Sequence, residues 1–394
     1  MTPSARLSPE CRLVFRSADA AHEPSEFVAL AASVRDWGRV VAMAEHEVAT
    51  ATLWSALRTS GAVIPPEATE HLRKSAMVRE LRMQHLSRRL QVTTRMLGER
   101  DVRFLLLKGA ATGALVDPTF RTRPMTDVDL LVRLEDVPAA RDAIIASGWP
   151  ETTDPVLRQL LADHHHLPPF VDPQMPGIRI ELHTALHPAD HSFGFDESHL
   201  WADAVPATAP FADALVPSRE HLVLHACIHF AWQHTMQFGA WRTFRAVSLL
   251  ANDPAFDWAR FVRVARDAKA ATACHWTLRL AQRMCGVAVP AGVLERLAPP
   301  TPEWLCGAIE RTFIAVIAVG EGPTSPSVAL TRLLWRAALR PHWSGHRTPG
   351  RWDPEHRWDR ARGIHAEETA GRRLARHLAG SRDWWRFVSR TLLG

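Results

Sequence analysis

The chain has 394 residues, of which 46% are hydrophobic and 23% charged, and this balance excludes collagenous, disordered and low-complexity classes. No apolar run approaches the ~18 residues of a membrane helix, and the N-terminus lacks the apolar stretch of a signal peptide. The five cysteines are scattered without C-x-x-C spacing, so we expect no disulfide framework, no zinc knuckle and a cytoplasmic protein.

The net charge of +5 is unevenly distributed along the chain. From residue 344 to the C-terminus there are eleven arginines and six acidic residues, so the basic excess lies in the tail. The chain has only three lysines, and one of them, Lys108, directly precedes a glycine. A lysine placed in a glycine turn is therefore a candidate for a specific role.

The first half of the chain changes from helical to strand patterning after Gly98. Residues 28–99 carry apolar side chains at helical spacing, with a break at residues 61–66. The next elements are predicted in this order: strand 102–107, helix 110–116, strand 126–134, helix 137–147 and strand 178–182. The last strand alternates, so Arg179, Glu181 and His183 share its polar face.

The second half of the chain is predicted to be helical. Helices are expected at residues 218–237, 241–250, 258–269, 274–285 and 327–340, with proline-rich breaks near residues 299–302 and 320–326. We therefore divide the chain into four units: a helical region (1–99), an α/β core (100–205), a helical domain (206–320) and a basic helical extension (321–394).

Two aspartates mark the strand predicted at residues 126–134. Asp127 and Asp129 are two apart, so both project from the same strand face. Adjacent ionised carboxylates repel unless a cation lies between them, and Mg²⁺ prefers such oxygen ligands. Glu181 is a candidate third carboxylate. A D-x-D pair alone is more often an exposed polar face, but the preceding strand and glycine turn make a two-metal phosphoryl-transfer site the better interpretation.

The turn at Lys108 and Gly109 opens a short helix, where backbone N–H groups can face a phosphate. Lys108 and Arg123 would add positive charge opposite a triphosphate. The sequence therefore predicts a phosphate-binding turn beside the carboxylates.

The segment LKGAATGALVDPTFRTRPMTDVDLLV at residues 107–132 resembles the bacterial group of uncharacterised nucleotidyltransferases in the polymerase-β superfamily. The segments DWGRVVAMAEHEV, IELH and SREHLVLHACIHFAWQH are also similar to that group, so the resemblance covers about residues 28–292. It implies an α+β fold, with a polymerase-β-like nucleotidyltransferase core of a small mixed sheet and helices, flanked by N- and C-terminal helical segments.

The resemblance also implies an activity. It is Mg²⁺-dependent transfer of a nucleoside monophosphate, with Mn²⁺ as the alternative metal, from a nucleoside triphosphate, expected to be ATP. The acceptor would be a hydroxyl or another group on a small molecule, a peptide or a protein. Nucleic acid is not expected as a partner. The alternatives are an inactive nucleotide- or peptide-binding accessory protein of the same fold, and a phosphotransferase.

Carried over by position, the resemblance makes Lys108 and Gly109 the phosphate-side turn. Asp127 and Asp129 become metal ligands, and Glu181 becomes the third, catalytic carboxylate. Two departures from the family pattern stand out. The gap of 17 residues between Gly109 and Asp127 is longer than is usual in the superfamily, and Arg245 stands where the group tends to have an aspartate.

Histidines offer a competing metal hypothesis. His221, His225 and His229 recur at i, i+4 and i+8 on one helix face, which could bind Zn²⁺ or a haem-type ligand, but such a stripe is more often packed and hydrogen-bonded. We predict that His183 and His229 line a substrate cleft, and that the run at residues 164–166 contributes to it. The apolar and basic residues of the C-terminal tail are predicted to dock on the helical body rather than on a membrane or nucleic acid.

Overall fold

A computed structural model describes residues 7–117, 119–120, 124–153, 165–187, 193, 196–211, 213–319, 335 and 338–339. These residues form fourteen α-helices and a six-stranded mixed sheet, which confirms the predicted α+β class. In the part of the chain so described, no helix is long and apolar enough to cross a membrane.

Five helices precede the sheet. They are α1 (Pro9–Arg16), α2 (Pro24–Ser33), α3 (Trp37–His46), α4 (Thr50–Ser60) and α5 (Pro66–Gly98). The side chains of Ser8 and Asp36 accept backbone N–H groups at the starts of α1 and α3, and Gly61 ends α4 in the left-handed conformation. The predicted helical region is thus resolved into four short helices and one long one.

The sheet residues alternate with helices through the middle of the chain. The elements are β1 (Phe104–Leu106), α6 (Lys108–Val116), β2 (Asp127–Val132), α7 (Val137–Ala146), β3 (Phe170–Val171), β4 (Arg179–His183), α8 (Glu197–Ala202), β5 (Val205–Pro206) and β6 (Leu215–Val216). The strand order is β3-β4-β2-β1-β6-β5. β2 runs parallel to β4 and antiparallel to β1, which in turn runs parallel to β6.

The two faces of the sheet meet different surroundings. On one face, alternating residues of β1, β2 and β4, such as Leu106, Val128 and Ile180, belong to the main hydrophobic core. On the other face, Leu105 and Leu131 pack in a small separate cluster. Because strand side chains alternate, the polar residues of β2 and β4 share this second face.

The long helix α5 is fastened to the sheet region by a buried carboxylate. Asp172, fully buried just after β3, accepts hydrogen bonds from His85 at 2.9 Å and from Arg89 at 3.1 Å. Arg89 also donates to the backbone carbonyls of Ser147 and Gly148, after α7. These contacts hold the helical region against the sheet through charge-assisted hydrogen bonds.

The second half is helical, as predicted. Its elements are α9 (Arg219–Ile228), α10 (Ala240–Ala251), α11 (Trp258–Asp267), α12 (Ala271–Cys285), α13 (Ala291–Leu297) and α14 (Glu303–Val319). The helix predicted at residues 218–237 was too long: it passes into a π-helical turn at His229–Gln233, and Thr235 and Met236 then take positive φ values of 48° and 56°. A positive φ departs from the right-handed helical conformation, so the helix is interrupted at these residues.

The C-terminal prediction can be followed at three residues only. Trp335, Ala338 and Leu339 are buried and lie within the predicted helix 327–340, where the Trp335 indole donates to the Ala231 carbonyl at 2.9 Å. The apolar and basic stripe predicted after residue 370 lies outside the described residues. All five cysteines are free and buried.

Candidate functional site

The pairing of β2 with β4 brings two predicted carboxylates together. Asp129 lies directly opposite Glu181, and Asp127 lies opposite Arg179. Since the strands are parallel and in register, residues at i and i+2 on both form a polar row on one sheet face. Asp129 is only 2% exposed and Glu181 is 15% exposed. The two acidic groups therefore stand side by side, largely out of water.

Lys108, the first residue of α6, enters this row directly after β1 and Leu107. The Leu107 N–H donates to the Asp129 carbonyl at 2.9 Å, which fixes the turn beside β2. Lys108 itself has φ +46°, a left-handed conformation that costs a non-glycine residue about 1 kcal/mol or more. Its Nζ lies 2.6 Å from Asp129 Oδ1. Gly109, buried in the first turn of α6, follows at once.

His183 completes the group from the end of β4. Its Nε2 donates to Asp129 Oδ1 at 2.9 Å and lies 3.9 Å from Glu181 Oε2. The His165 and His166 rings lie 5.3 and 5.1 Å from the His183 ring. We call Lys108, Asp129, Glu181 and His183 the sheet cluster.

Charge is matched within the sheet cluster. Burial alone would raise the pKa of Asp129, but the Lys108 ammonium and the His183 imidazole outweigh it and hold this pKa well below its usual range. Burial would lower the pKa of Lys108, yet the carboxylates of Asp129 and Asp127 raise it. Burial and the neighbouring Asp129 carboxylate raise the pKa of Glu181. An ionised Asp129–Lys108 pair thus lies beside Glu181, whose carboxyl holds its proton more tightly than an ordinary glutamate does.

The donor atoms of this group fit a divalent cation. One ligand atom from each of Asp129, Glu181 and His183 falls within 4.8 Å of the other two, and no other group of three in the described residues does so. Two carboxylate oxygens and an imidazole nitrogen are ordinary ligands for such an ion. Asp127, the other predicted ligand, lies on the same face but outside this trio.

Near the sheet cluster lie three histidines that we call the histidine stripe: His221, His225 and His229. The first two belong to α9, and His229 begins the π-helical turn after it. Burial, with a smaller contribution from Lys108, lowers the pKa of His225 to about 3. Burial also puts the pKa of His229 well below its usual range. The His225 and His229 rings lie 6.2 Å apart, whereas His221 contacts Ser218. Among the residues described, the stripe does not form a three-ligand metal group, so the zinc hypothesis is not supported.

The predicted site residues thus fall into three sets. Lys108, Gly109, Asp129, Glu181 and His183 meet at the sheet, with Asp127 at its margin. His229 lies in the histidine stripe, and Arg123 lies outside the described residues.

Sequence reasoning overlooked one acid near this site. Glu197 of α8 accepts the Leu186 N–H at 2.6 Å. Burial raises the pKa of its carboxyl, and the nearby His183 imidazole offsets part of this rise. No spacing pattern indicated Glu197, because it begins α8 in a later segment and only the tertiary fold brings it near β4.

The comparisons with known proteins bear on the sheet cluster directly. No curated protein and no solved structure matches the chain. The model of a family described as uncharacterised nucleotidyltransferase matches residues 33–286, a span that contains every residue of the sheet cluster and of the histidine stripe. Because this match covers more than half of the chain, the protein belongs to that family of uncharacterised nucleotidyltransferases.

Proposed function

We propose that the protein transfers a nucleoside monophosphate from a nucleoside triphosphate, ATP first among them, to an acceptor on a small molecule, peptide or protein. The observation that carries this proposal is the pairing of Asp129 with Glu181 across β2 and β4, with Lys108 held against Asp129. Membership in a nucleotidyltransferase family supports the same reaction. Nucleic acid is not the proposed acceptor, and a cytoplasmic location is proposed with this activity.

The phosphate side of the reaction falls to the turn after β1. Lys108 carries a positive charge there, and the first N–H groups of α6, which have no partner within the helix, are the groups proposed to bind a phosphate. A side chain that is 23% exposed can leave Asp129 for an arriving anion. Lys108 is therefore assigned to the triphosphate, where it offsets the negative charge that develops on the leaving group.

The carboxylates serve the cation and the acceptor. Asp127 and Asp129 are proposed to hold the divalent metal, Mg²⁺ or Mn²⁺, together with one oxygen of Glu181. When bound, that ion supplies charge stabilisation at the phosphate and a template for in-line attack.

Glu181 is the proposed proton acceptor of the reaction. The acceptor oxygen bonds to the α-phosphorus, the bond from this phosphorus to the β-phosphate oxygen breaks, and pyrophosphate leaves. The proton of the acceptor hydroxyl passes to the oxygen of Glu181 that does not bind the metal. The raised pKa of this carboxyl suits a general base, because it brings proton affinity nearer to neutral pH.

Calorimetric titration with a non-hydrolysable ATP analogue tests the nucleotide site. We expect binding that needs a divalent cation and disappears in the D127N/D129N double variant. Asp142→Asn, an exposed change on α7, is the matched control and should bind normally. Failure of ATP, GTP, CTP and UTP to bind would overturn the proposal in favour of an accessory protein.

Labelled triphosphates then separate the enzymatic alternatives. Release of pyrophosphate with label from the α-phosphate in the product supports nucleotidyl transfer. Release of a nucleoside diphosphate would instead identify a phosphotransferase. Nucleotide binding without either product, across a panel of hydroxyl-bearing small molecules and peptides, would favour the accessory protein.

A further inference from the structure

We propose that Asp129, Glu181 and His183 form one mixed carboxylate–imidazole site that selects a first-row transition-metal dication over Mg²⁺, and that Lys108 stands in for this cation until it arrives. This inference builds on the proposed function in its choice of site. Metal binding can nevertheless be measured without any nucleotide, so the two can fail separately.

The three donor atoms are already spaced like ligands of a single ion. His183 Nε2 is 2.9 Å from Asp129 Oδ1 and 3.9 Å from Glu181 Oε2. Ligand atoms ~2.1 Å from a metal lie ~3.0 Å apart at a right angle and ~4.2 Å apart when opposite. The observed separations of 2.9 and 3.9 Å are close to these two values, so small side-chain movements suffice to admit a cation.

The imidazole decides which cation is preferred. Mg²⁺ binds oxygen ligands and sheds its water reluctantly, whereas imidazole nitrogen suits first-row transition metals, Fe²⁺ and Zn²⁺ more than Mn²⁺. A third carboxylate at the position of His183 would suit Mg²⁺ better. With His183 in that place, the ligand set is two oxygens and one nitrogen, which favours a transition metal.

The Nδ1 of His183, unpaired among the described residues, can take up a proton when Nε2 binds a metal. The side chain is 2% exposed, and its Nδ1 is buried without a hydrogen-bond partner in the described structure. Such an unsatisfied nitrogen costs about 1–3 kcal/mol. When Nε2 gives its lone pair to a metal, the proton that it carried can reside on Nδ1, so the imidazole stays neutral and no proton is released.

Lys108 gives the site its charge balance in the absence of metal. Its ammonium lies 2.6 Å from the same Asp129 oxygen that His183 contacts. A dication and an ammonium cannot share that oxygen without strong repulsion. The metal must therefore displace Lys108, which frees this side chain for the triphosphate.

Mn²⁺ titration of the full chain without nucleotide, followed by electron paramagnetic resonance, tests the site. We expect one Mn²⁺ to bind at least roughly tenfold more tightly than Mg²⁺ in competition. Spin-echo modulation of the bound Mn²⁺ should show one directly coordinated ¹⁴N. Equal affinity for the two ions, or no nitrogen coupling, would overturn the inference.

Three variants assign the residues. His183→Gln should abolish the nitrogen coupling and weaken Mn²⁺ binding roughly 10- to 100-fold, with a much smaller change for Mg²⁺. Glu181→Gln should weaken Mn²⁺ binding and keep the nitrogen coupling. Lys108→Met should tighten Mn²⁺ binding roughly tenfold, because a competing charge is lost. Weaker Mn²⁺ binding in Lys108→Met, or retained coupling in His183→Gln, would contradict the proposal.

His275→Gln is the matched control for a buried histidine. His275 is 4% exposed, and its Nδ1 donates to the Leu294 carbonyl at 3.0 Å, outside the sheet cluster. Its Mn²⁺ affinity and nitrogen coupling should equal those of the wild type. Circular dichroism checks that each variant is folded. If nitrogen-coupled Mn²⁺ is found but no triphosphate binds, the metal site stands and the proposed transfer reaction fails.

Discussion

The sheet cluster and the histidine stripe are both buried polar groups, yet they are built differently. The sheet cluster draws its side chains from three segments, and opposite charges meet there, as in the 2.6 Å contact of Lys108 with Asp129. The stripe runs along α9 into the π-helical turn that follows it, and burial lowers the pKa of its imidazoles. Side chains from neighbouring strands in register can approach a single point, whereas side chains at i, i+4 and i+8 lie one after another along a helix. Convergence of charge therefore distinguishes the candidate site from the packed stripe.

The largest expected effect is the loss of the charge pair. Asp129→Asn leaves the Lys108 ammonium without its buried partner, so we expect a loss of about 3–5 kcal/mol in the free energy of unfolding. Transfer activity should fall about 10³-fold or more, because the proposed carboxylate ligand of the cation is gone. Urea denaturation and a labelled-triphosphate assay measure these two quantities.

The double variant K108M/D129N separates stability from chemistry. Replacing both partners removes the uncompensated charge, so most of the lost stability should return while activity stays absent. If K108M/D129N is as unstable as Asp129→Asn alone, the pair does not act as a charge pair. The sheet cluster would then be held by packing, like the stripe.

The strand pattern made part of this cluster predictable. Asp127 and Asp129 were predicted from their two-residue spacing, and Glu181 and His183 were predicted to share a strand face. The register of β2 with β4 could not be predicted, because it depends on pairing between segments about 50 residues apart. The positive φ of Lys108 likewise has no local signal in a residue that ordinarily avoids that conformation.

The helical half was predictable in type but less so in extent. The apolar periodicity predicts α9, but it continues past Ile228, where the backbone departs from the α-helix. The neutrality of the histidine stripe follows from burial by several other helices, which a single helix pattern does not contain. Tertiary packing, rather than local propensity, decided both outcomes.

The second prediction concerns Glu181, the proposed proton acceptor. Glu181→Gln keeps the size of the side chain but removes its charge, so the fold should persist while transfer falls about 10²- to 10⁴-fold. Wild-type activity should rise with pH as Glu181 ionises. Because the pKa of this carboxyl is raised, the rise should be centred above ~4.3, the ordinary pKa of glutamate. The pH–rate profile of Glu181→Gln should lack this limb. An unchanged profile would assign the proton to another group.

The third prediction uses pH to separate the two regions. The pKa of His225 is lowered from 6.5 to about 3, so the unfolded chain takes up a proton between these values and the folded chain does not. Stability is therefore lost as the pH falls from 6.5 toward 3, by about 2 kcal/mol at pH 5 from this group. The Asp129 carboxyl, whose pKa is lowered, keeps its contribution between pH 7 and 5 and loses it only below about pH 4.

Urea denaturation of wild type and His225→Gln at pH 7, 6 and 5 measures that difference. The stability of the variant should decline less on acidification, even if its stability at pH 7 is lower because of altered packing. His71→Gln, at a side chain that is 53% exposed, is the control and should follow the wild type. Parallel pH curves for wild type and His225→Gln would mean that the stripe is already open to water.

The smallest expected effect lies at the start of the stripe. Ser218 caps α9, because its Oγ accepts the His221 N–H at 3.4 Å and lies 3.0 Å from His221 Nδ1. Ser218→Ala should cost about 1 kcal/mol of unfolding free energy, whereas Ser218→Thr should retain most of it. Neither change should alter Mn²⁺ affinity or transfer rate, since the cap supports the stripe and not the sheet cluster. A loss of metal affinity in Ser218→Ala without a matching loss in Ser218→Thr would show that α9 positions the site, and the contrast between the two regions would no longer hold.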